Sequence, residues 1–302
     1  MEQVTKALSP GAMVGGRYRL ERVLGVGGYG ITYQGLDTRL DGAVAVKEYF
    51  PKEVVMRECS VSTNVSICTT DGETRFRNNK ERFLREAKML ARFSQTPEIV
   101  QVRNFFLANN TAYIVMEYVE GITLKQYVAD QGGKLSVEET MAILRPILRA
   151  LAMVHKAGLI HRDISPDNIM VLPDGRIKLM DFGAARDYTE FGEKSLSIVL
   201  KPGYAPPEQY QTHGIQGPWT DIYALCATMY KCITGENPPD AIERVMDDHL
   251  KEISAFGIPV LPQIEEAIIK GMSVAANDRY QNVGDFCEDL YGGYEENSEP
   301  EA

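Results

Sequence analysis

The stretch that decides the fold reads HRDISPDN, residues 161–168, and the short motif DFG follows it at residues 181–183. Upstream lie a glycine-rich segment, GVGGYG at residues 25–30, and a lysine that ends an apolar run, VAVK at residues 44–47. A single histidine, aspartate or lysine most often has only a structural role. Four such segments in this order are uncommon by chance, so we interpret them together.

The glycine-rich segment is compatible, on its own, with a dinucleotide fingerprint, a hairpin that covers a nucleotide, or a plain turn. A dinucleotide fingerprint requires a helix directly after the last glycine. Here Ile31, Thr32 and Tyr33 follow Gly30, and β-branched and aromatic residues favour a strand. We therefore predict a hairpin whose glycines allow backbone N–H groups to approach phosphate oxygens closely.

Lys47 ends a strand-like apolar run, where a lysine is usually a solvated edge charge. After a glycine-rich hairpin it is better explained as a phosphate ligand, which needs an anionic partner to hold it. Glu86, in the helix-like segment FLREA at residues 83–87, is the candidate partner. The alternative for Glu86 is a surface pair with basic residues one helical turn away.

Together these motifs resemble those of the eukaryotic-like Ser/Thr protein kinases of bacteria, and the resemblance covers residues 18–290. The segment APPE, residues 205–208, resembles the end of a kinase activation segment. Asp221 resembles the buried aspartate that supports the catalytic loop, and Arg279 resembles the arginine that pairs with Glu208. The resemblance implies an α+β, two-lobed protein-kinase fold, with a small β-rich N-lobe that contains one major helix and a larger, mainly helical C-lobe.

The resemblance also implies the roles of individual residues. Asp163 would accept or orient the substrate hydroxyl, and Asn168 and Asp181 would hold Mg²⁺ on the phosphates of ATP. Lys47, fixed by Glu86, would bind the α- and β-phosphates. The other ATP-binding positions that it implies, with adenine between the lobes, are Leu24, Gly25, Gly27, Gly28, Gly30, Thr32, Ala45, Met116, Glu117 and Val119.

Four positions depart from the family pattern. Thr32 stands where valine is common, and Cys226 stands where glycine is common. Ser165 stands where typical members carry a lysine in the catalytic loop, and Lys201 stands where they carry a threonine. Compared with the family, this chain thus has a hydroxyl in the catalytic loop and an ammonium group in the activation segment, the reverse of the usual arrangement. We hypothesise that Lys201 reaches Asp163 and supplies the positive charge for the γ-phosphate. Ser165 would then make the hydrogen bonds that the threonine makes in typical members. The alternative is that Lys201 points to solvent.

Composition and patterning divide the chain into an N-terminal lead at 1–17, an N-lobe at 18–118, a C-lobe at 119–291 and an acidic disordered tail at 292–302. Lys47 and Glu86 are unusually far apart for the family, which indicates an insertion at about 53–78. Alternating apolar residues and the Asp71-Gly72 turn signal predict that it is a β-hairpin. It is either a lineage-specific decoration or a docking or regulatory element that moves the helix carrying Glu86.

Hydrophobic periodicity predicts the elements of each lobe. The predicted strands are 18–24, 31–36, 43–50, 99–107 and 112–118. A helix is predicted at 80–93 in the N-lobe. In the C-lobe, Ser136 and Glu139 form a capping box for a helix that runs to about His155. Pro146 in that helix predicts a kink or a later start. The other predicted helices are 220–233, 241–253, 264–272 and 283–290.

Composition excludes several classes of protein. The chain has 302 residues, 44% of them hydrophobic and 25% charged, which is ordinary globular usage. A net charge of −10 disfavours nucleic-acid binding. No apolar run is long enough to span a bilayer, and no signal peptide is evident. Five cysteines without a CxxC pair indicate free thiols in the cytoplasm, although a Cys59–Cys68 disulfide stays open.

The leading hypothesis is therefore an ATP- and Mg²⁺-dependent kinase that phosphorylates Ser or Thr of protein substrates, including its own activation loop during transient self-association. Candidate phosphosites are Thr189, Ser195 and Ser197. One alternative is a pseudokinase scaffold, which would be expected to lack at least one of the four polar residues assigned to catalysis. Another is a small-molecule kinase of related fold, which would commonly lack the APPE segment and its arginine partner.

Overall fold

The computed structural model describes residues 7–28, 30–57, 62–68, 72–182, 186–187 and 200–292. The chain forms two compact units, Met1–Glu120 and Gly121–Ala302. The division falls two residues beyond the end of the expected N-lobe at 118. Within the described ranges, no helix is both long and apolar enough to cross a bilayer.

The first unit is built on a six-stranded antiparallel sheet. In sheet order the strands are β1 (Met13–Val14), β2 (Tyr18–Val26), β3 (Gly30–Asp37), β4 (Gly42–Tyr49), β8 (Thr111–Glu117) and β7 (Val102–Ala108). The segment expected to be a mere lead contributes β1, and its residues Ala7 and Leu8 are buried. Ala7, Leu8 and Val14 of this segment therefore belong to the core of the unit.

The helix of the first unit, α1 (Gly72–Leu90), is longer than expected and begins eight residues earlier than Lys80. A short 3-10 turn, Ala91–Phe93, completes the predicted C-terminal end. The extra N-terminal turns bury Phe76 against Tyr49, with ring centroids 5.3 Å apart, and Phe83 contacts the same ring at 5.5 Å. The Phe76 contact is long-range and lies outside the predicted helix at 80–93, whereas Phe83 lies within it.

The segment at 53–78, predicted to be a β-hairpin, contains two short paired strands, but its residues 72–78 belong to helix α1. Strand β5 (Val55–Met56) pairs antiparallel with β6 (Ser66–Ile67). Of the predicted Asp71-Gly72 turn, Asp71 lies outside the described residues, and Gly72 is already the first residue of α1. Next to β6, the backbone N–H of Val65 donates to the carbonyl of Asn109 in the β7–β8 turn, at 3.0 Å. The hairpin is thus attached to the main sheet by hydrogen bonds.

A buried ion pair joins this hairpin region to β4. Arg57 follows β5 and donates to the carboxylate of Glu48, and both side chains are completely buried. The hydroxyls of Tyr33 and Tyr113 also donate to Glu48, each at 2.8 Å. The N–H of Leu8 donates to Tyr33 Oη at 3.1 Å, which brings the N-terminal segment into the same network. Burial nevertheless raises the pKa of Glu48 above its ordinary value.

The second unit is mainly helical. Its helices are α2 (Leu124–Asp130), α3 (Val137–Lys156), α4 (Pro207–Tyr210), α5 (Pro218–Thr234), α6 (Ala241–Met246), α7 (Pro262–Gly271) and α8 (Val283–Tyr291). Its short strands are β9 (Ile122–Thr123), β10 (Leu159–Ile160), β11 (Ile169–Val171), β12 (Ile177–Leu179) and β13 (Arg186–Asp187). Strands β9, β11 and β12 form one sheet, and β10 pairs with β13.

Two helix boundaries in this unit differ from expectation. Helix α3 starts directly after its cap, Ser136, and continues through Pro146, so the later start is wrong. Its buried apolar face offsets the one backbone hydrogen bond that a proline removes. Helix α6 ends at Met246 instead of 253. The Asp248 carboxylate accepts from Arg244 and from the Leu250 N–H, and such side-chain bonds compete with a continued helix.

Cys226, one of the departures from the family pattern, has a packing explanation. It lies completely buried in the middle of α5. Gly271 ends α7 directly opposite, and a Cβ atom added there would collide with Cys226 Sγ. The missing side chain of Gly271 therefore leaves the space that the cysteine occupies, and the two residues form one steric pair between α5 and α7.

The steric pair predicts that the effect of Gly271→Ala depends on residue 226. In the wild-type background the added methyl should destabilise the fold by about 1–3 kcal/mol, the usual cost of overpacking. In a Cys226→Ala background the same change should be nearly neutral, because the sulfur is gone. Urea unfolding midpoints of the four proteins measure this coupling. Equal losses in both backgrounds would contradict it.

The buried ion pair predicts a large loss of stability for Arg57→Met. The change leaves Glu48 buried without its cation, which typically costs about 3–5 kcal/mol. Adding Glu48→Gln should recover part of the loss, because it removes the stranded charge. Arg176→Met is the matched control, since the Arg176–Asp174 pair is mostly exposed and should contribute little. Similar urea midpoints for Arg57→Met and the control would refute the assignment.

Candidate active site

The glycine-rich segment joins β2 to β3, as expected for a hairpin. The N–H of Gly27 donates to the carbonyl of Gly30 at 2.8 Å. A Cβ on Gly30 would lie only 2.5 Å from the carbonyl oxygen of Glu48, so any side chain would push β3 away from β4. Leu24 and Val26 remain substantially exposed at this end of the sheet.

One face of the sheet collects several of the predicted ATP-binding residues. Thr32 pairs with Lys47 across β3 and β4, and Ala45 pairs with Met116 across β4 and β8. Because alternate residues of a strand share a face, Ala45 and Lys47 point to the same side. Lys47 Nζ lies 4.0 Å from Glu86 Oε1 of α1, which is ion-pair distance. The predicted Lys47–Glu86 contact is therefore present.

Two of the expected ATP-binding positions, Glu117 and Val119, lie at the end of β8 and just beyond it. The N–H of Glu117 already donates to the carbonyl of Gln101, at 2.9 Å, and its side chain accepts from the Gln101 N–H. Glu117 is therefore tied to the segment before β7. Val119, two residues later, is buried.

In the second unit, the HRD segment is fixed by one buried carboxylate. Asp221 Oδ2 accepts from the N–H of His161, and Oδ1 accepts from the N–H of Arg162, each at 2.8 Å. His155 Nε2 lies 2.8 Å from the same carboxylate. Arg162 has a φ of 71°, a left-handed conformation that non-glycine residues adopt only when the surroundings hold them there.

The ionisation of Asp221 follows from these contacts. Complete burial on its own would raise the pKa of the carboxyl. The hydrogen bond and charge of His155, with the Arg162 N–H, outweigh burial and hold the pKa below its usual value. The ionised carboxylate is therefore the form that the fold favours.

Asp163, Asn168 and Asp181 meet on the loops next to this support. Asn168 Nδ2 donates to the carbonyl of Asp163 at 2.7 Å, and the Met180 N–H donates to the Asn168 carbonyl at 2.8 Å. Asp181 has a φ of 50°, again left-handed, and its charge acts on Asp163. Burial raises the pKa of Asp163 above its ordinary value, and Lys201 opposes the rise.

Lys201 makes the contacts that the exchange hypothesis requires. Its ammonium donates to Ser165 Oγ at 2.7 Å and lies 3.3 Å from Asp163 Oδ1. The alternative, in which Lys201 points to solvent, is therefore wrong. Sequence reasoning missed the neighbouring Asp167, whose carboxylate lies 3.9 Å from Lys201 and 3.1 Å from Lys125. Its place inside the HRDISPDN motif was the available signal.

The expected structural pair is also formed. Arg279 donates to both carboxylate oxygens of Glu208, at 2.8 and 3.1 Å, and Thr220 donates to Glu208 at 3.0 Å. The three side chains are buried. The candidate phosphosites Thr189, Ser195 and Ser197 and the half-cystine candidate Cys59 lie outside the described residues.

Comparisons with known proteins identify the family. The model described as the protein kinase domain matches residues 18–279. A probable serine/threonine-protein kinase of Clostridium acetobutylicum is 32% identical over 93% of this chain and 40% of its own length. Serine/threonine-protein kinase PknL of Mycobacterium tuberculosis is 30% identical over 96% of this chain and 69% of its own. The chain belongs to the protein kinase family.

A solved structure titled "PpkA-294 apo form" gives the same result for the fold. It is 32% identical to this chain, with a TM-score of 0.81, and the match covers 94% of this chain and 99% of that one. The chain thus has the two-lobed protein-kinase fold. It spans about two fifths of the length of the first curated relatives.

The lowered pKa of Asp221 predicts how stability depends on pH. A carboxylate whose pKa is depressed by folding stabilises the fold above its unfolded pKa, about 3.9, and the contribution is lost as the pH falls through the lower folded value. Asp221→Asn should therefore be less stable than wild type at pH 7 by roughly 1.5–3 kcal/mol. The difference should shrink below about pH 4. Urea unfolding at pH 7, 5, 4 and 3 tests this, and a constant difference would argue against an ionised Asp221.

Proposed function

We propose that this chain is an ATP- and Mg²⁺-dependent protein kinase that transfers the γ-phosphate to serine or threonine hydroxyls of proteins. The observation that carries the proposal is the setting of Asp163. Its carboxylate is a quarter exposed and lies beside a cation, and it follows a strained residue that Asp221 holds in place. Such a carboxylate is positioned to meet a substrate hydroxyl and to receive its proton.

Each polar residue then has a role that its chemistry supports. Asp163 orients the hydroxyl and takes its proton, and Lys47, held by Glu86, binds the α- and β-phosphates. The glycines of the hairpin leave room for backbone N–H groups to bind phosphate oxygens, while Thr32, Ala45 and Met116 form an apolar face suited to adenine. Leu24, Glu117 and Val119 are proposed to complete the adenine contacts.

The donors for Mg²⁺ are Asp181 and Asn168. A carboxylate and an amide oxygen are hard ligands, and Mg²⁺ bound to a nucleotide typically takes one or two protein ligands plus phosphate oxygens and water. Within the described residues, no group of three or more His, Cys, Asp or Glu side chains could hold a metal by themselves. The set therefore fits a metal that is bound together with ATP. When bound, Mg²⁺ neutralises charge on the phosphates.

Two alternatives are less favoured. A pseudokinase scaffold does not require the complete set Lys47, Asp163, Asn168 and Asp181, all of which are present. A small-molecule kinase does not require the buried Glu208–Arg279 pair that anchors the APPE segment. The serine/threonine-protein kinases among the relatives support a protein substrate and a hydroxyl acceptor of this type.

We also propose that the chain phosphorylates itself at Thr189, Ser195 or Ser197 during transient self-association. Arg162, directly before Asp163, offers a cation that a phosphorylated loop could pair with. The buried thiols Cys226 and Cys232 are unpaired, which suits a reducing compartment, so we place the activity in the cytoplasm. Nucleic acid is not among the proposed partners.

The proposed function predicts that Asp163→Asn abolishes phosphoryl transfer while ATP binding survives. Asp163 acts on the hydroxyl in the transition state, so the loss should be in kcat and not in the affinity for ATP. Labelled ATP with Mg²⁺, a generic Ser/Thr protein acceptor and phosphosite mapping of the chain itself measure transfer, and calorimetry measures binding.

Asp174→Asn is the matched control, because Asp174 pairs with Arg176 in an exposed turn. It should transfer phosphate at the wild-type rate. A wild-type protein that binds ATP but labels neither itself nor any protein acceptor would favour the scaffold.

A further inference from the structure

We propose that Lys201 is a catalytic residue that binds the transferring γ-phosphate, and that Ser165 is the positioning residue that aims its ammonium group. The proposal rests on the proposed kinase function and deepens it. Lys201 lies 36 positions away from Ser165 in sequence, so neither motif in which they occur reveals the contact by itself.

The ammonium group of Lys201 lies next to the carboxylate that binds the acceptor hydroxyl under the proposed function. Lys201 Nζ lies 3.3 Å from Asp163 Oδ1, the carboxylate that receives the hydroxyl proton under the proposed function. The attacking oxygen and the phosphorus must come together beside that carboxylate. A cation within one hydrogen-bond length of Asp163 is therefore within reach of an equatorial oxygen of the phosphoryl group.

The geometry leaves one N–H of Lys201 for a ligand. One N–H donates to Ser165 Oγ and a second faces Asp163. Asp167 is the third polar neighbour, but its carboxylate lies 3.9 Å away, beyond hydrogen-bond distance. Asp167 is in addition paired with Lys125 at 3.1 Å. A lysine has three donors, so the third remains for a phosphoryl oxygen.

Both residues are held where the contact needs them. Ser165 is completely buried, so its hydroxyl has little freedom to turn elsewhere. The carbonyl of Lys201 accepts from the N–H groups of Tyr204 and Ala205, at 3.1 and 3.0 Å. Gly203 has a φ of 84°, and a Cβ there would lie 2.6 Å from the carbonyl oxygen of Pro238. The backbone around Lys201 therefore packs closely against its own unit.

Electrostatics gives a reason for a cation at this position. The phosphoryl group is negative, and without Lys201 it would approach the carboxylates of Asp163 and Asp167 directly. Like charges at such separations repel strongly, and the repulsion grows as water leaves the site. One ammonium between carboxylate and phosphate replaces this repulsion by two attractions, and it is already in place before the reaction starts.

The chemical step balances without any further reactant. The substrate hydroxyl oxygen forms a bond to the γ-phosphorus, and the bond from that phosphorus to the β–γ bridging oxygen breaks. The bridging oxygen keeps the electron pair and leaves as part of ADP. The hydroxyl proton goes to the Asp163 carboxylate. Lys201 stays protonated throughout and forms no covalent bond.

Lys201→Ala tests the proposal with two readouts. The kcat for transfer should fall by about 10²-fold or more, the usual effect of losing one preorganised donor to the transition state. Independently, Mg²⁺-ATP should lose about tenfold of its affinity relative to Mg²⁺-ADP, because only ATP carries the γ-phosphate that Lys201 contacts. Calorimetry on the full chain measures both dissociation constants without turnover of an acceptor.

The matched controls separate this role from a structural one. Lys156→Ala removes the same charge from an exposed position at the end of α3 and should change neither readout. The double change Ser165→Lys with Lys201→Thr returns a lysine to the same cluster. It should recover at least a tenth of the wild-type kcat and restore the preference for ATP, because the two positions act as a unit.

Three results would overturn the assignment. They are a nearly wild-type kcat for Lys201→Ala, an unchanged ratio of ATP to ADP affinity, or no recovery of either readout in the double variant. If the wild-type protein transfers no phosphate, the proposed function fails instead, and the ratio of ATP to ADP affinity alone then decides whether Lys201 contacts the γ-phosphate.

Discussion

Asp221 makes the contacts on which the site of the helical unit depends. Its carboxylate lies in α5 and binds two consecutive backbone N–H groups, those of His161 and Arg162. His155 of α3 binds the same group, so two packed helices act on one short loop. These hydrogen bonds help to offset the left-handed φ of Arg162, which costs of order 1–3 kcal/mol. The direction in which Asp163 leaves the loop is therefore set by a buried charge that takes no part in the chemistry.

In the β-rich unit, strand β4 is the element on which several contacts depend, as Asp221 is in the helical unit. Its successive residues point to opposite faces of the sheet. Lys47 and Tyr49 face α1, where they contact Glu86 and two phenylalanines. Glu48 faces the other way and is closed off by Arg57 and by two tyrosines. A buried ion pair is costly to desolvate and adds little net stability, but it is satisfied in only one arrangement. The inserted hairpin and the N-terminal segment thus fix the strand that carries Lys47.

The sequence predicted the parts of this structure that repeat locally or belong to motifs. The main sheet strands, the Ser136 cap and the Glu208–Arg279 pair follow from periodicity, capping chemistry and family pattern. The early start of α1 could not be predicted, because Phe76 is buried by a distant tyrosine and not by its own helix. Likewise, the charge of Arg57 argued against burial, and only its partner on β4 explains it. Long-range contacts of this kind leave no periodic signal.

The Lys201–Ser165 contact was predictable from the sequence only in part. The exchange of residue types at the two positions was visible against the family pattern, and the contact is present at 2.7 Å. The surrounding charges were not visible, because Asp167 and Lys125 come together only through the fold of the loop. A departure from a family motif is therefore most informative when a second departure can compensate for it.

The burial of Cys226 determines how this thiol reacts with alkylating reagents. Its thiol is completely enclosed between α5 and α7, and burial raises its pKa, so the nucleophilic thiolate is scarce and shielded. Cys68, by contrast, is exposed and open to reagents. An alkylating agent can reach Cys226 only when the two helices separate. The rate at which this thiol is alkylated therefore reports how often the helical core opens, and the cysteine is a native sensor of local unfolding.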